Sequence, residues 1–324
     1  RVEARGAEPI AALLAESAAV ADTSALLRLV GRLERLGGGG LFGSYVDTDD
    51  RNSERYLLNI LQGGLGLPDE SYYREEKFAE IREEYVAHLE RMLALADWAD
   101  PAGAAQRVMR VETHLATGHW ERAATRDVIK TYNLLTMDDL RALAPSFAWD
   151  AWADALGADE ATLAETIVRQ PSYFEHLSAA VEEIDLDAWK DWAAIRVVRA
   201  ASPHLSSAFV DESFAFYGKT LNGTPELRAR WKRGVAFVEG AVGEAVGEEY
   251  VARHFPPRAK EMMDELVANL LEAYRRSIEA LDWMGEETKK RAYRKLETFR
   301  PKIGYPEKFR EYSALTVTAD DLIG

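Results

Sequence analysis

Residues 259–281 read AKEMMDELVANLLEAYRRSIEAL. Apolar side chains recur there every three or four positions, at Met262, Leu266, Leu270, Tyr274, Ile278 and Leu281. This period places them on one face of an α-helix. Pro256 and Pro257 come just before, where proline fits a helix entrance. The stretch predicts a long amphipathic helix with one face suited to burial.

The same helical period recurs along most of the chain. It predicts helices over residues 70–98 and 286–300, with others before and between them, including one over residues 159–169. Gly37 to Gly40 interrupt the pattern, because glycine loses the most backbone entropy in a helix. Residues 41–46 and 56–61 then form two candidate strands around a polar turn. The predicted fold class is mainly α, with a small β element near residues 41–61.

The composition narrows the class of protein. The chain has 324 residues, 47% of them hydrophobic, and 40 basic against 55 acidic side chains give a net charge of −15. This length is long for one core and indicates two lobes or part of a larger protein. The acidic balance argues against a nucleic-acid partner, which needs clustered Lys and Arg. No apolar run approaches the roughly 20 residues that span a bilayer, so we predict no membrane span in this chain.

Cysteine is absent, which excludes disulfides, thiolate zinc ligands, iron–sulfur clusters and a thiol nucleophile from this chain. The absence also favours a reducing compartment, although weakly. The start at Arg1, with no initiator Met and no signal-like segment, is typical of a processed or trimmed chain, so secretion stays open.

Histidine is a common zinc ligand in proteins. The six histidines include no H-E-x-x-H, the spacing that sets two imidazoles on one helix face around zinc. His114 and His119 come nearest, but their separation places them about 140° apart around a helix, so ordinary histidines are the default interpretation. His88 with Glu84 is typical of a solvated surface pair. We predict no metal ligand and no catalytic residue in this chain, and its substrate-binding residues stay unknown.

Carboxylate pairs and a glycine cluster also have plain structural interpretations. Pairs such as Asp49-Asp50 arise by chance among 55 acidic residues, and their separation in space decides whether they could do acid–base chemistry. Gly63-Gly64-Leu65-Gly66 lacks the full G-x-G-x-x-G and is typical of a glycine-rich exit from a strand.

Tryptophan pairs and one sequon complete the set of candidates. Trp149 with Trp152, and Trp189 with Trp192, suit contacts between helices in a core, with an aromatic ligand wall as the alternative. Asn222-Gly223-Thr224 matches a glycosylation sequon and equally a turn. The residues alone therefore indicate a helical globular protein without a self-sufficient catalytic constellation.

Several short stretches, taken in order, resemble motifs of the neprilysin and endothelin-converting enzyme family of zinc metallopeptidases, which includes bacterial endopeptidase O. The most specific is Gln62 to Tyr73, close to the pattern L-G-L-P-x-x-x-Y-Y. The others are Arg5-Gly6-Ala7-Glu8-Pro9, Gly43 to Ser53 with its D-D-x-N-S turn, Tyr132-Asn133, Arg230-Trp231, Gly240 to Gly243 with Tyr250-Val251, Trp283-Met284 with Glu287 to Lys289, and Ile303 to Pro306.

This resemblance implies a two-lobed, mostly helical enzyme around a chamber that admits oligopeptides and excludes folded proteins. The family's H-E-x-x-H, its E-x-x-x-D third ligand and its N-A-Y substrate contacts lie further along the chain. Zinc is therefore expected in the assembled enzyme, bound by a C-terminal catalytic half that is not present here. No zinc ligand, base or substrate contact can be carried over to a residue of this sequence.

The prediction that follows is the N-terminal, non-zinc-binding portion of a neprilysin-like zinc metalloendopeptidase, inactive alone. We expect residues 1–118 to contribute to the catalytic lobe and residues 119–324 to form a helical lobe over the chamber. The expected partners are the C-terminal catalytic half, as a separate chain or a missing segment, and peptide substrates. A bacterial cytoplasmic location fits the cysteine-free composition. A non-enzymatic binding or regulatory subunit is the alternative. If a catalytic half is missing, apolar helix faces should be exposed.

Overall fold

The computed structural model describes residues 2–319 and 321–323, except for the side chain of Glu160. Its α-helices are Val2–Arg5 (α1), Ala11–Ala18 (α2), Thr23–Arg35 (α3), Ser71–Arg74 (α4), Ala79–Leu95 (α5), Pro101–Thr117 (α6), Met137–Leu143 (α7), Trp149–Leu156 (α8), Glu160–Leu163 (α9), Pro171–Glu183 (α10), Leu186–Ala201 (α11), Ser207–Ser213 (α12), Arg230–His254 (α13), Pro257–Ala280 (α14) and Glu286–Glu297 (α15). A π-helix, Phe214–Leu221, continues α12. No helix in these residues is long and apolar enough to cross a membrane.

A small sheet interrupts the helices. Its strands are Phe42–Asp49 (β1), Asn52–Gln62 (β2), Leu134–Thr136 (β3) and Glu165–Val168 (β4), in the spatial order β1-β2-β4-β3. β1 and β2 form an antiparallel hairpin, β4 lies parallel to β2, and β3 pairs antiparallel with β4. Residues 57–60 of β2 are all buried, as expected for a strand covered on both faces. The predicted mainly α fold with a β element near residues 41–61 is confirmed.

Two helix predictions need correction. The helix expected over residues 70–98 is broken at Glu75, whose backbone is extended, and α5 begins only at Ala79. The Arg82 side chain stabilises the break by donating to the carbonyls of Tyr72 and Glu75. The helix expected over residues 159–169 ends at Leu163 and is followed by β4, because the β-branched run over residues 166–168 pairs with strands on both sides.

The chain divides into two compact units. The first unit comprises Arg1–Leu227 with Ala319–Gly324, and the second comprises Arg228–Thr318. All fully buried large side chains among the described residues belong to the first unit; they include Phe42, Tyr85, Trp152, Tyr173, Phe174, Trp189, Trp192, Phe209 and Phe216. The two tryptophan pairs are core contacts as predicted, with ring centroids 5.8 Å apart in α8 and 5.9 Å apart in α11.

This division differs from the boundary expected at residues 118 and 119. Leu115 and Ala116 before that boundary share one hydrophobic core with Tyr173 and Trp192 after it, so no gap between compact units falls there. Gly118, the last residue before that boundary, ends α6 against the ring of His176. The assignment of residues 1–118 and 119–324 to a catalytic and a covering lobe stays a prediction.

Candidate functional site

The segment with the most specific sequence pattern, Gln62 to Tyr73, leaves β2 as a loop that side chains hold from several sides. We call residues 62–70 the glycine loop. Tyr173 Oη and His119 Nε2 donate to the Gly63 carbonyl at 3.1 and 2.9 Å, and Trp192 Nε1 donates to the Gly64 carbonyl at 3.1 Å. These hydrogen bonds come from α10, α11 and the segment after α6, so the loop is fixed by three parts of the first unit.

The other half of the glycine loop is held by charged and phenolic groups. Arg196 Nη1 donates to the Leu65 carbonyl at 3.2 Å, and the backbone N–H groups of Gly66 and Leu67 donate to Tyr73 Oη at 3.1 and 3.0 Å. Tyr73 Oη in turn donates to a carboxylate oxygen of Glu112 at 2.7 Å. The loop is therefore rigidly placed although it contains no regular structure.

Glycine is required in this loop for close approach as well as for backbone conformation. A Cβ at Gly66 would lie 1.7 Å from Tyr85 Oη, so a side chain there would displace the buried Tyr85 ring. Gly64 has φ +85°, a left-handed conformation that other residues rarely adopt. The interpretation of these glycines as a strand exit is confirmed, and the side chains that surround the loop explain why they stand in this order.

Glu112 is a fully buried carboxyl group under the loop. Besides Tyr73, it accepts a hydrogen bond from Tyr85 Oη at 3.0 Å. Burial raises the pKa of Glu112, and the hydrogen bond from Tyr73 and the charges of Arg196 and Arg199 act against that rise. Sequence reasoning missed this cluster, because Glu112 looks like any helical glutamate until its tyrosine partners converge in space.

A cavity of about 810 Å³ opens beside the glycine loop within the first unit. The loop forms one wall, Gly39 and Gly40 another, and Arg122, Arg169 and Arg196 also line it. A single cavity of this volume falls in the range of small-molecule sites, roughly 300–1,000 Å³. It is a candidate binding site that lies wholly within the first unit.

The turn of the β1–β2 hairpin explains the D-D-x-N-S stretch. Asp49 is 2% exposed and accepts hydrogen bonds from the Arg51 backbone N–H at 2.9 Å, Arg55 Nε at 2.8 Å and Tyr132 Oη at 2.8 Å. The first of these contributes most to holding the pKa of Asp49 below its usual range. Asp50 pairs with Arg169 at 3.0 Å. This carboxylate pair therefore fastens the turn and is fully engaged in doing so.

His114 and His119, the two histidines that come nearest to a metal-ligand pair in the sequence, contact different partners. His114 stacks on His176, with ring centroids 4.8 Å apart, whereas His119 Nε2 donates to the Gly63 carbonyl and burial lowers the pKa of His119 to about 4. The prediction for His88 was wrong in its partner: His88 is 2% exposed, and its Nδ1 lies 2.9 Å from Glu212, far along the chain from Glu84.

The described residues contain no group of side chains that could bind zinc. Among the residues that the structure describes, no three His, Cys, Asp or Glu side chains converge as metal ligands would. The described part of this chain therefore does not fit zinc, and no residue is assigned to it.

Asn222-Gly223-Thr224 forms a turn, with Gly223 at φ +65° and Thr224 N–H donating to the Gly218 carbonyl at 2.8 Å.

The second unit offers a different kind of candidate site. None of its helices α13, α14 and α15 buries a residue. On α14, one face carries Met262, Leu266, Leu270 and Tyr274, all between 48% and 61% exposed. We call these four residues the α14 stripe. The opposite face of α14, with Leu271 and Arg275, lines a cavity together with Tyr293 and Leu296 of α15. The expected exposure of apolar helix faces is confirmed.

Known proteins share the sequence pattern and the fold of this chain. The family model described as Peptidase family M13 matches residues 1–306. The chain therefore belongs to peptidase family M13, the neprilysin-like metallopeptidases, and the resemblance drawn from the ordered motifs is confirmed.

Individual relatives show what share of a family member's length this chain covers. Endothelin-converting enzyme-like 1 from Homo sapiens is 30% identical over 82% of this chain and 35% of its own length. The corresponding values for neutral endopeptidase from Lactobacillus helveticus are 26%, 82% and 41%. Mycobacterium tuberculosis zinc metalloprotease ZMP1, solved with an inhibitor, is 44% identical with a TM-score of 0.91 over 99% of this chain and 49% of its own. The chain thus spans about half or less of these proteins.

Proposed function

We propose that this chain is the portion of an M13 zinc metalloendopeptidase that encloses oligopeptide substrates and seats a C-terminal catalytic portion. Zinc and the general base would then belong to that other portion, and this chain alone would not hydrolyse peptides. The observation that carries the proposal is the α14 stripe: a helix of a stable protein exposes so many large apolar side chains on one face when another surface normally covers it.

Two further observations support the proposal. The chain belongs to a peptidase family yet presents no ligand group for zinc in its described residues. It also covers only 49% of the M. tuberculosis metalloprotease, with which it shares 44% identity. A catalytic portion outside these residues accounts for both facts. The cysteine-free sequence and the bacterial relatives support a bacterial cytoplasmic location.

Mixing the two portions tests the proposal. Hydrolysis of a quenched hydrophobic oligopeptide and bound zinc are measured with this chain alone, with the C-terminal portion that carries H-E-x-x-H alone, and with both. Hydrolysis by the mixture only is the expected result. Stoichiometric zinc and hydrolysis from this chain alone would contradict it, whereas full activity from the C-terminal portion alone would favour a regulatory subunit.

Matched variants test whether the α14 stripe binds the C-terminal catalytic portion. Leu266→Glu with Leu270→Glu places two charges in the stripe, while Val128→Glu with Ile129→Glu places the same two charges on equally apolar, exposed residues of the first unit. The first pair should weaken association with the catalytic portion at least about 100-fold, since burying unpaired carboxylates is strongly unfavourable. Equal effects of the two pairs would remove the stripe from the interface.

A further inference from the structure

Three of the six histidines lie where the C-terminal end of α6 packs against α10. The rings of His114 and His176 are stacked with their planes 21° apart, and His176 Nε2 donates to the His114 carbonyl at 2.8 Å. A Cβ at Gly118 would lie 2.3 Å from His176 Cδ2, so this glycine allows the close approach. His119 follows directly in the segment after α6. We call His114, His119 and His176 the histidine cluster.

The histidine cluster is joined to the glycine loop. The His119 ring, which donates to the Gly63 carbonyl, stands edge-on against Tyr173, whose hydroxyl donates to the same carbonyl; the ring centroids are 4.8 Å apart. The next residue, Trp120, forms two backbone hydrogen bonds with the Gln62 side chain, at 2.8 and 3.0 Å. The beginning of the loop is therefore held by the segment that carries His119, and a displacement of that segment would release it.

A positive charge on His119 is unfavourable in this position. Burial is the main cause that lowers its pKa to about 4; its hydrogen bond to the glycine loop acts against this, and the charge of His176 adds to it. The charged groups that line the same cavity as His119 are Asp69, Glu70, Arg122, Arg169 and Arg196. The two carboxylates among them are engaged by Ser71 and Arg74, so neither is a free counter-ion for a protonated His119.

His114 has one acidic neighbour. Its Nε2 lies 3.8 Å from Glu183, whose side chain is 63% exposed. Burial and the charge of His176 lower the pKa of His114, and Glu183 acts against both. The remaining charged groups that line the cavity beside His114 are Arg110, Asp185 and two sets already joined by ion pairs, Arg107 with Asp100 and Asp191 and Lys190 with Asp187. Protonation of both stacked rings would therefore place two charges 4.8 Å apart beside one exposed counter-ion.

We propose that the histidine cluster is a pH switch: at about pH 5 its protonation separates the end of α6 from α10 and releases the beginning of the glycine loop. The physical cause is like-charge repulsion together with the cost of a charge in a partly buried position. The released loop would no longer form a wall of the cavity of about 810 Å³. At neutral pH the rings are uncharged and the contact is closed. The switch lies within the first unit and does not rest on the proposed function.

The direction of the pH dependence follows from the histidine pKa values. The closed state binds the proton of His119 less tightly than the open state, in which the pKa returns towards its ordinary value of 6.5. The closed loop is therefore fully favoured above pH 6.5 and loses that advantage as the pH falls towards 4. The open fraction should rise at least about tenfold between pH 7 and pH 5.

Amide hydrogen exchange of the full chain at pH 7 and pH 5 tests the switch, with labelling times scaled to the intrinsic exchange rate at each pH. Exchange over residues 62–66 should quicken at least about tenfold at pH 5 and recover on return to pH 7, while the core helix α11 stays protected. Equal scaled exchange at the two pH values would overturn the proposal. Simultaneous exchange of α11, or protection that does not return, would also overturn it, because both indicate acid unfolding of the whole unit.

Variants identify the titrating groups. His119→Gln keeps an N–H donor for the Gly63 carbonyl but cannot be charged, so it should stay closed at pH 7 and lose most of the opening at pH 5. His176→Gln should lose part of the opening, which covers the case in which His119→Gln does not fold. His254→Gln removes an exposed histidine of α13 in the second unit and should leave the opening unchanged.

The variants can also contradict the proposal. Undiminished opening in the folded His119→Gln protein, or in the folded His176→Gln protein if His119→Gln does not fold, would overturn it. Loss of the opening in His254→Gln would overturn it as well, since the effect would then not belong to the histidine cluster.

Discussion

The two units of this chain treat their apolar side chains in opposite ways. In the first unit, Trp192 on α11 is fully buried and its indole N–H donates to the glycine loop. In the second unit, Trp231 on α13 is 68% exposed. Both tryptophans lie in α-helices, although α13 is kinked at Val242, so helix formation alone does not decide burial. The first unit contains the partners that its helices need, and the second unit lacks them.

Truncating the two tryptophans should give the largest difference between the units. Trp192→Ala removes a core side chain and a hydrogen bond, so we expect about 3–5 kcal/mol loss in the free energy of unfolding. Trp231→Ala should change it by less than about 0.5 kcal/mol in the chain alone. Urea unfolding followed by circular dichroism measures both. A comparable loss in both variants would mean that Trp231 is covered in solution.

Glycine substitutions sharpen the comparison at the level of backbone packing. Gly66→Ala forces a Cβ into Tyr85 Oη and should destabilise the first unit by about 1–3 kcal/mol. Gly240 lies in α13, and a Cβ added there would have no atom within 4 Å apart from the neighbouring backbone of its own helix. Gly240→Ala should be neutral or stabilising by up to about 1 kcal/mol, because alanine favours helix. Thermal melts measure the stability of both variants. A destabilised Gly240→Ala variant would show that α13 is closely packed.

The smallest effect concerns pH. Because folding raises the pKa of Glu34 to about 8, the folded protein holds that proton longer than the unfolded chain does. Its contribution is present below pH 4.5 and is lost as pH rises towards 8. Glu34→Gln cannot ionise, so its stability should fall less between pH 5 and pH 7, by roughly 2 kcal/mol.

The matched residue of the second unit is Glu272, whose pKa is lowered to about 2 by hydrogen bonds from Arg275 and Arg276. Its contribution is lost only as pH falls towards 2, so Glu272→Gln should run parallel to the unmodified protein between pH 5 and pH 7. Urea unfolding at the two pH values measures both effects. Parallel curves for Glu34→Gln would show that Glu34 is solvated.

Much of the helical architecture follows from local pattern. The α14 stripe and the tryptophan pairs were predictable, because a period of three to four residues fixes the face on which side chains lie. β4 was not, because residues 165–168 become a strand only through pairing with β2 and β3, which come from distant parts of the chain. Short segments of this kind take their structure from their neighbours.

The candidate site was less predictable than the fold. The glycine loop stood out in the sequence, but the partners that hold it, Glu112, Tyr173 and Arg196, carry no local signal. His88 shows the same limit: Glu84 is its neighbour on the helix, yet the buried ring pairs with Glu212. Long-range polar contacts depend on the packing of whole helices, which the spacing of residues along one helix does not determine.

The central claim, that the second unit is a surface for the catalytic portion, is tested most directly by hydrogen–deuterium exchange. Amide exchange is followed by mass spectrometry in the chain alone and after addition of the C-terminal portion that carries H-E-x-x-H. Exchange should slow in α14, around the α14 stripe, while the buried core helices α6 and α11 of the first unit stay unchanged. Unchanged exchange in α14 despite demonstrated association of the two portions would contradict the claim.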